Sequence, residues 1–375
     1  MLTVLSVIGT RPEAIKMAPV LAQLDRQRER VRSVVCLTAQ HRQMLDQVLG
    51  LFDIRPDYDL NLMEADQALS QLTARLFEGL DAVVQRVQPD WVLAQGDTTT
   101  VLVAALVAYY HAIPFGHVEA GLRTGDKRRP FPEEINRRVA DEVADALFAP
   151  TRYARDALLR AGFPEGGIYF TGNTVVDALL EVAARPYRWD AGPLAPVPSD
   201  RSLVLVTAHR RESFGAPLEA ICEAVRDLAR RFADDGVHFV YPVHLNPNVR
   251  ECTFRVLSGL PNVSLTDPLD YLSLVHLMKR SILILTDSGG IQEEAPSFGV
   301  PVLVMRETTE RPEGVEAGVA RIVGTQRLRI VEEATRLLRD PKARADMAKG
   351  GNPYGDGRAS RRIAAILLGD PWEEI

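Results

Sequence analysis

Residues 282–295, ILILTDSGGIQEEA, combine a short strand, a glycine-rich turn and the start of a helix. The four apolar residues at 282–285 predict a buried strand, since a short apolar run next to turn residues is typical of a parallel sheet. Gly289 and Gly290 have no side chains, so the N–H groups at the helix start can approach a phosphate group closely. A plain turn between strand and helix does not require this combination. The stretch therefore predicts an α/β fold with an anion site at one edge of a sheet.

The same succession of strand, turn and helix recurs along the whole chain. Strands are predicted at Leu2–Ile8, 31–38, Trp91–Gln95, Phe115–Val118 and Ala146–Ala149, and again at Ser202–Thr207, 238–243 and 301–305. This alternation indicates parallel sheets covered by helices. A run rich in proline at 186–199 interrupts the pattern and is interpreted as a structureless linker. We therefore expect two successive α/β domains.

The composition is that of a soluble globular protein with more than one domain. Of the 375 residues, 46% are hydrophobic and 25% are charged, which excludes disordered, collagen-like and coiled-coil chains. The net charge of -6 argues against a general nucleic-acid-binding protein, although a local positive site could bind a small anion. The longest uncharged stretch, 98–118, is interpreted as a buried helix because its apolar part is too short to span a membrane. Three dispersed cysteines indicate a reducing compartment, and we expect a cytoplasmic protein with neither nucleic-acid nor membrane partners.

Polar residues follow the predicted strands of the first half, where ligands bind in open α/β sheets. Gly9 ends the first strand, and Arg11 and Lys16 follow on the next helix. This pattern fits a phosphate site and, equally well, a helix start with two solvated cations. Asp97 follows a buried strand directly, so its carboxylate either serves a ligand or caps the next helix, and both roles can coexist. Glu119 ends another short strand, and we expect it near Asp97 if the two strands are adjacent.

The remaining candidates are weaker when they are judged by spacing alone. Glu133 stands in a predicted first helical turn, where a carboxylate is favourable without any further function. His209 and His244 each follow a strand of the second half, but a lone histidine is more often structural than catalytic. Glu294 lies one helical turn beyond Gly290 and could accept hydrogen bonds from ribose hydroxyl groups. The chain has no HExxH or GxSxG pattern, so we expect neither a metal centre nor a serine nucleophile.

Taken together, these segments resemble the non-hydrolysing UDP-N-acetylglucosamine 2-epimerases. The resemblance covers nearly the whole chain, in the same order, through 9–13 (GTRPE), 95–98 (QGDT), 117–124 (HVEAGLRT), 131–137 (FPEEINR), 207–212 (TAHRRE), 241–244 (YPVH), 285–296 (LTDSGGIQEEAP), 308–313 (TTERPE) and 352–357 (NPYGDG). Such an ordered set is far more specific than any one of its motifs.

The resemblance implies two Rossmann-like domains whose parallel sheets face a central cleft, as in the GT-B glycosyltransferases. The domains would be 1–172, with the catalytic carboxylates, and 173–363, with the UDP site, while a C-terminal helix at 364–375 packs back on the first. It also implies a cofactor-independent homodimer that interconverts UDP-GlcNAc and UDP-ManNAc. The product would supply ManNAc units for surface polysaccharides.

The resemblance also assigns roles to individual residues. The catalytic set would be Asp97, Glu119, Glu133 and His209. Substrate and UDP would be held by Arg11, Lys16, Leu269, Leu274, Ser288, Gly289, Gly290, Glu294 and Arg311, with the phosphates on 288–290 and the ribose on Glu294. Leu274 stands near the uracil position, where some members have an aromatic residue, so base stacking would be weaker.

A second UDP-GlcNAc molecule activates many bacterial members of this family. The corresponding positions here are Gln40, Gln43, Gln67, Glu133, Arg210 and His244. Asp66 departs from the basic residue that some members have beside Gln67, which puts the strength of activation in doubt.

Four other functions remain open from the sequence. A hydrolysing epimerase would share the fold and much of the site but release free ManNAc and UDP. A GT-B glycosyltransferase would need an acceptor, and the dense set of carboxylates favours elimination over transfer. A nucleotide-sugar sensor would bind the ligand without turnover, and a related epimerase could act on an oxidised diacetamido UDP-sugar.

Overall fold

The computed structural model describes residues 1–38, 42–62 and 67–375. It divides into two units, of which one comprises Met1–Ala178 with Tyr354–Ile375 and the other Leu179–Pro353. Each unit contains one parallel sheet covered by helices. The α/β class predicted from the sequence is therefore confirmed.

The first unit is built on a parallel sheet of seven strands. Its elements are β1 (Leu2–Ile8), α1 (Arg11–Arg26), β2 (Val31–Leu37), α2 (Arg42–Leu51), β3 (Tyr58–Asp59), α3 (Leu69–Val87), β4 (Trp91–Gln95), α4 (Thr99–Tyr110), β5 (Phe115–Val118), α5 (Glu133–Val143), β6 (Ala146–Ala149), α6 (Arg152–Arg160) and β7 (Ile168–Phe170). The strand order is β3-β2-β1-β4-β5-β6-β7. The carboxyl ends of β1, β4 and β5 therefore lie side by side near the middle of the sheet.

Helix α4 shows why the long uncharged stretch at 98–118 forms part of this core. Its apolar residues face all sides, and Val101, Val103 and Val107 are buried. Thr98 begins the helix, since its hydroxyl oxygen accepts a hydrogen bond from the N–H of Val101. The stretch then turns into β5, as predicted. No helix in the described parts of the chain is long and apolar enough to cross a bilayer.

The second unit is built on a parallel sheet of six strands. Helix α7 (Thr174–Ala183) leads into it from the first unit, and its elements are β8 (Ser202–Thr207), α8 (Ala216–Arg231), β9 (Val237–Pro242), α9 (Pro247–Leu257), β10 (Val263–Thr266), α10 (Tyr271–Arg280), β11 (Ser281–Thr286), α11 (Gly289–Glu294), β12 (Val302–Val304), α12 (Pro312–Glu316), β13 (Ala320–Ile322), α13 (Arg327–Arg339) and α14 (Pro341–Ala348). The strand order is β10-β9-β8-β11-β12-β13. The strand predicted at 282–285 is the core of β11.

The limits of the units differ from the domains expected from the sequence. Residues 173–178 and 354–363 belong to the first unit, whereas the domains that the family resemblance implies place them in the second. The final helix, α15 (Ala359–Leu368), packs against α1. The chain therefore returns to the first unit at Tyr354, earlier than expected.

A buried carboxylate explains this earlier return. Asp177 accepts hydrogen bonds from the N–H groups of Ala359 (3.2 Å) and Ser360 (2.9 Å) and from the Ser360 hydroxyl. Nearby, the N–H of Asn173 donates to the carbonyl of Tyr354 at 2.8 Å. These bonds fix the start of α15 to the start of α7. The alternation of strands and helices could not reveal them, because they lie outside the sheet.

The proline-rich run at 186–199 is not structureless. Leu194 and Val197 are buried within the second unit, and the indole N–H of Trp189 donates to the Val197 carbonyl at 2.9 Å. The Tyr187 ring stacks on that of His276 at 4.7 Å. The prediction of a linker was therefore wrong at this point, because apolar residues between the prolines pack against the unit.

Asp177→Ala should destabilise the protein by removing three hydrogen bonds from the start of α15. We expect the free energy of unfolding to fall by about 3 kcal/mol, as when the partner of several buried donors is lost. Urea unfolding would measure it. The control is Glu181→Ala on the same helix, since Glu181 forms an exposed pair with Arg185 and should change the value by about 0.5 kcal/mol or less. Equal effects of the two variants would contradict the anchoring role.

Candidate functional site

The pairing of β4 with β5 places two candidate carboxylates on neighbouring strand ends. Gln95 is opposite Val118 in the parallel register, and the N–H of Gly96 donates to the Val118 carbonyl at 3.0 Å. Asp97 and Glu119 therefore each follow their strand at the same edge of the sheet. This adjacency is the arrangement expected from the sequence.

Asp97 is held from the first turns of α5. Arg137 forms an ion pair with its carboxylate, and the Asn136 amide donates to its backbone carbonyl at 3.0 Å. The side chain remains 29% exposed. Asp97 is thus fixed by its neighbours while its carboxylate stays accessible to a ligand.

Glu119 has an unusual backbone conformation. Its φ of 71° lies in the left-handed region, which a non-glycine residue adopts at an energetic cost. The N–H groups of Glu119 and Ala120 both donate to the Phe148 carbonyl at 3.1 Å, which stabilises this turn. Its carboxylate is 9% exposed and pairs with Lys16 of α1. Lys16, which was predicted to bind phosphate, therefore contacts Glu119, which was predicted to be catalytic.

The two glutamates at the start of α5 have different environments. Glu134 is buried and accepts hydrogen bonds from the N–H groups of Thr124 (3.1 Å) and Gly125 (3.3 Å). The Oε2 atom of Glu133 is also buried, but it has no hydrogen-bond partner among the described residues. A buried carboxylate oxygen normally has a partner. Glu134 therefore shapes the loop before α5, whereas Glu133 offers an acceptor to a ligand.

The Gly9 turn is shaped by packing inside the unit. A Cβ atom at Gly9 would lie 2.5 Å from the Thr100 hydroxyl oxygen, so a side chain there would clash. The carboxylate of Glu13 accepts hydrogen bonds from the N–H groups of Gly9 and Thr10. Burial raises the pKa of Glu13 to about 7 despite these bonds. Arg11 begins α1 directly beside this turn.

In the second unit, a buried aspartate organises the segment that carries His209. Oδ2 of Asp287 accepts hydrogen bonds from the N–H groups of His209 (2.7 Å) and Arg210 (2.8 Å). Its Oδ1 atom lies 3.5 Å from Nδ1 of His209. The His209 ring also stacks on the His244 ring, with 5.3 Å between centroids. Residues that follow β8, β9 and β11 therefore meet at one edge of this sheet.

The glycine-rich turn lies beside a cation, as a phosphate site requires. A Cβ atom at Gly289 would lie 3.5 Å from Nη2 of Arg210, so this guanidinium borders the turn. The N–H of Ser288 donates to the Thr286 hydroxyl at 2.9 Å. A phosphate would therefore rely on the N–H groups of Gly289 and Gly290 more than on that of Ser288.

Two further arginines follow β12, and both form ion pairs with carboxylates. Arg306 is buried and pairs with Glu212 and Glu310, each at 2.6 Å. Burial would raise the pKa of Glu310, but its hydrogen bonds and attraction to Arg306 lower it to about 2. Arg311 pairs with Glu293, the neighbour of Glu294. Arg311 therefore reaches α11, where the ribose contact was predicted.

The other predicted residues lie apart from these two clusters or outside the described residues. Leu269 is buried just before α10, and Leu274 is half-buried within α10. When the Gln67 amide is oriented so that both of its ends find a partner, it donates to the Leu62 carbonyl (3.2 Å) and accepts from Arg75 (3.3 Å). Gln40 and Asp66 lie outside the described residues, and of Gln43 only the backbone, in α2, is described.

The sequence analysis missed three residues that hold catalytic candidates in place: Asn136 and Arg137, which bind Asp97, and Asp287, which binds the segment of His209. They belong to motifs that carry the family resemblance, but their partners lie in other elements, which spacing along the chain does not indicate. It also missed Glu13, although the spacing of Thr10 and Glu13 is that of a helix capping box. Within the described ranges, no three His, Cys, Asp or Glu side chains are grouped so that they could hold a metal ion.

Comparison with known proteins gives one consistent result. The family model described as "UDP-N-acetylglucosamine 2-epimerase" matches residues 23–368. A UDP-N-acetylglucosamine 2-epimerase of Yersinia pestis is 53% identical over 97% of this chain and 98% of its own length. A crystal structure of a putative UDP-N-acetylglucosamine 2-epimerase from Listeria monocytogenes superposes with a TM-score of 0.90 at 45% identity, covering 98% of this chain and 95% of its own. The Neisseria meningitidis UDP-GlcNAc 2-epimerase bound to UDP-GlcNAc gives a TM-score of 0.89 at 45% identity, covering 98% of this chain and 100% of its own.

Glu13→Gln should change how stability depends on pH. Because the native pKa of Glu13 is raised from 4.5 to about 7, the folded state binds more protons than the unfolded state between these values. The contribution of Glu13 to stability is thus complete below pH 4.5 and is lost as the pH rises through 7, amounting to about 3 kcal/mol. As the pH rises from 4.5 to 8, urea unfolding should therefore show that the stability of the variant increases relative to that of the wild type. If the curves of stability against pH are parallel for the variant and the wild type, the raised pKa is contradicted. The control is Glu29→Gln at an exposed position, whose curve should be parallel to that of the wild type.

Proposed function

We propose that this chain, which belongs to the UDP-N-acetylglucosamine 2-epimerase family, inverts the configuration at C2 of the sugar in UDP-GlcNAc to give UDP-ManNAc. The observation that carries the proposal is the cluster of carboxylates in the first unit. Asp97 and Glu119 follow adjacent strands and each has its own cation, while Glu133 presents a buried oxygen without a partner in the described part of the chain. The product would supply ManNAc units for a surface polysaccharide.

The route of the reaction is set by C2 of the sugar, which carries an acetamido group and has no adjacent carbonyl group. Its proton is therefore not acidic enough for simple removal and return. We propose that a carboxylate removes the C2 proton while the C1–O bond breaks and its electron pair leaves with UDP, which gives 2-acetamidoglucal. UDP then adds back to C1, and an acid delivers a proton to the opposite face of C2. The sugar leaves the enzyme still attached to UDP, which makes the enzyme non-hydrolysing.

Asp97, Glu119 and Glu133 are the groups proposed for proton transfer at C2. Asp97 pairs with Arg137 and Glu119 pairs with Lys16, so each of these carboxylates is held by a cation. Three carboxylates around one unit's sheet edge provide more proton-transfer groups than simple glycosyl transfer needs. Arg11 and Lys16 would additionally stabilise charge on the ligand.

The second unit is proposed to hold UDP throughout the reaction. The N–H groups of Gly289 and Gly290 would bind the diphosphate, with Arg210 beside them. His209, fixed by Asp287, would assist the departure of UDP. The ribose and uracil would be bound by Glu294, Arg311, Leu269 and Leu274. This arrangement stabilises the leaving group, which elimination demands.

Arg210 and His244 are also proposed to bind an activating second molecule of UDP-GlcNAc. The His244 ring stacks on His209, and Arg210 is the next residue along the chain from His209. A ligand at these two residues would therefore act on the segment that carries His209. The Gln67 amide would have to exchange its bonds with Leu62 and Arg75 to take part.

The proposed activity is tested by following UDP-GlcNAc with the purified protein by proton and phosphorus NMR. We expect UDP-ManNAc with UDP still attached, and the same final mixture starting from UDP-ManNAc. Free ManNAc with UDP would indicate the hydrolysing enzyme instead. An unchanged substrate would contradict both and favour a glycosyltransferase that lacks its acceptor, a sensor, or a different UDP-sugar.

Asp97→Asn and Glu119→Gln should each lower kcat by about 100-fold or more, since proton transfer by a positioned group contributes about that much. The measurement is steady-state kinetics with UDP-GlcNAc, together with thermal unfolding to show that the variants are folded. Glu142→Gln is the matched control, because Glu142 is exposed on α5 and should leave kcat unchanged. Normal kcat in both test variants would remove the carboxylates from the mechanism.

Gly290→Val should weaken UDP binding without harming the fold. A Cβ atom at Gly290 would lie 3.8 Å from Glu294 Oε1 and 3.9 Å from the Ser288 hydroxyl oxygen, which are ordinary contacts. The side chain would instead obstruct a phosphate at the turn, so we expect UDP affinity to fall at least about 10-fold. Calorimetric titration with UDP is the measurement. Gly50→Ala on α2, where a Cβ meets no atom within 4 Å, is the control, and equal affinity of all three proteins would exclude this phosphate site.

A further inference from the structure

His117 occupies a closed site in the middle of β5, beneath the two strand ends that carry Asp97 and Glu119. Its side chain has no solvent exposure. Nδ1 lies 2.6 Å from Oδ1 of Asp141, and Nε2 lies 2.7 Å from the carbonyl oxygen of Gly96. Both ring nitrogens are therefore within hydrogen-bond distance of an oxygen atom.

Both of these oxygens are acceptors. The Gly96 carbonyl has no hydrogen to donate. The Asp141 carboxylate pairs through Oδ2 with Arg123 at 2.6 Å and also accepts the N–H of Gly121 at 3.3 Å, which is the pattern of an ionised group. A neutral imidazole has one N–H and could satisfy one acceptor, whereas an imidazolium satisfies both. Because Oδ2 of Asp141 already faces the guanidinium of Arg123 and a backbone N–H, the proton between Oδ1 and Nδ1 belongs on the ring, and the geometry favours a protonated His117.

The surroundings stabilise this charge. Burial alone would lower the pKa of His117, but the charge and hydrogen bond of Asp141, the Gly96 carbonyl and the charge of Asp97 together raise it. The strands on either side contribute the apolar neighbours Ala94 and Leu147. Asp141 and Asp97 are the charged groups with the largest effect on the ring, and Arg123 pairs with Asp141.

The charged pair is bonded to both loops that carry candidate catalytic residues. Gly96 has a φ of +90° and immediately precedes Asp97. The orientation of the peptide group between the two residues therefore sets the position of Asp97. His117 holds the carbonyl of this peptide, and Asp141 holds the N–H of Gly121, two residues beyond Glu119. The pair of His117 and Asp141 therefore links the turn after β4 to the turn after β5.

We propose that His117 is a permanently protonated positioning residue, which fixes the Gly96 peptide and through it the placement of the Asp97 carboxylate. Both of its N–H groups are committed to the protein, so it exchanges no proton with the substrate. The role of Asp97 rests on the function proposed above. The protonation and the positioning are measurable without any substrate.

The first test is nitrogen NMR of the wild-type protein with ¹⁵N-labelled histidine at pH 8.5. Of the seven histidines, His117 should give the signal in which both ring nitrogens carry a proton. An exposed histidine is neutral at this pH. If all seven signals are those of neutral imidazole, the proposal is overturned, whatever the variants do.

The second test separates the two hydrogen bonds of His117. A glutamine amide nitrogen can take the place of Nε2, so His117→Gln keeps the bond to Gly96, whereas His117→Asn places its amide near Nδ1 and keeps the bond to Asp141. Both variants lose the positive charge and form a matched pair. We expect crystal structures to show Asp97 displaced by about 1 Å or more in His117→Asn and unmoved in His117→Gln. Asp97 in place in both variants would overturn the positioning role.

Kinetics give the corresponding functional result. In His117→Asn, kcat should fall by about 100-fold with little change in KM, because a misplacement of about 1 Å is enough for a loss of this size. His117→Gln should retain at least about ten times more activity than His117→Asn at the same melting temperature. A purely structural role would instead lower the melting temperature and leave the kcat of the folded enzyme equal in both variants. If the wild type does not epimerise UDP-GlcNAc, the proposed function fails, while the spectra and the crystal structures still decide this inference.

Discussion

The parallel pairing of β4 with β5 is the constraint on which the site in the first unit depends. It sets Asp97 and Glu119 just beyond the ends of neighbouring strands, whose backbones are about 5 Å apart. Two carboxylates at the same partly buried edge would repel each other. Each is therefore paired with its own cation, Asp97 with Arg137 and Glu119 with Lys16. Helix α5, which follows β5, carries Arg137 to this edge, and helix α1, which follows β1, carries Lys16.

In the second unit, too, a candidate catalytic residue is held by a group from another element, but through backbone hydrogen bonds instead of an ion pair. A polar side chain at the end of one strand, Asp287 after β11, holds the segment after the neighbouring strand β8 by accepting two backbone N–H groups. His209 is thereby fixed beside the glycine-rich turn rather than left on a mobile loop. In the second unit, the buried Asp287 side chain therefore determines where His209 lies.

The sequence predicted five of the seven strands in the first sheet and four of the six in the second, because short buried strands have a strong local signature, and it missed β3, β7, β10 and β13. The strands Trp91–Gln95, Phe115–Val118 and Ser202–Thr207 have the predicted limits. The limits of the units were less predictable, since the return of the chain depends on Asp177 and on backbone groups far away in sequence. The positive φ of Glu119 was likewise hidden, because no glycine marks that position. Candidate site residues were found from their place after strands and from the family resemblance, whereas the groups that orient them emerged from the structure.

The central claim is that carboxylates in the first unit remove and return a proton at C2 of a UDP-bound sugar. The most direct measurement is the incubation of the protein with UDP-GlcNAc in D₂O, followed by mass and proton spectra of the UDP-ManNAc that forms. The account predicts deuterium at C2 of UDP-ManNAc, because a carboxylate proton exchanges with solvent. UDP-ManNAc that retains its original hydrogen at C2 in full would contradict it.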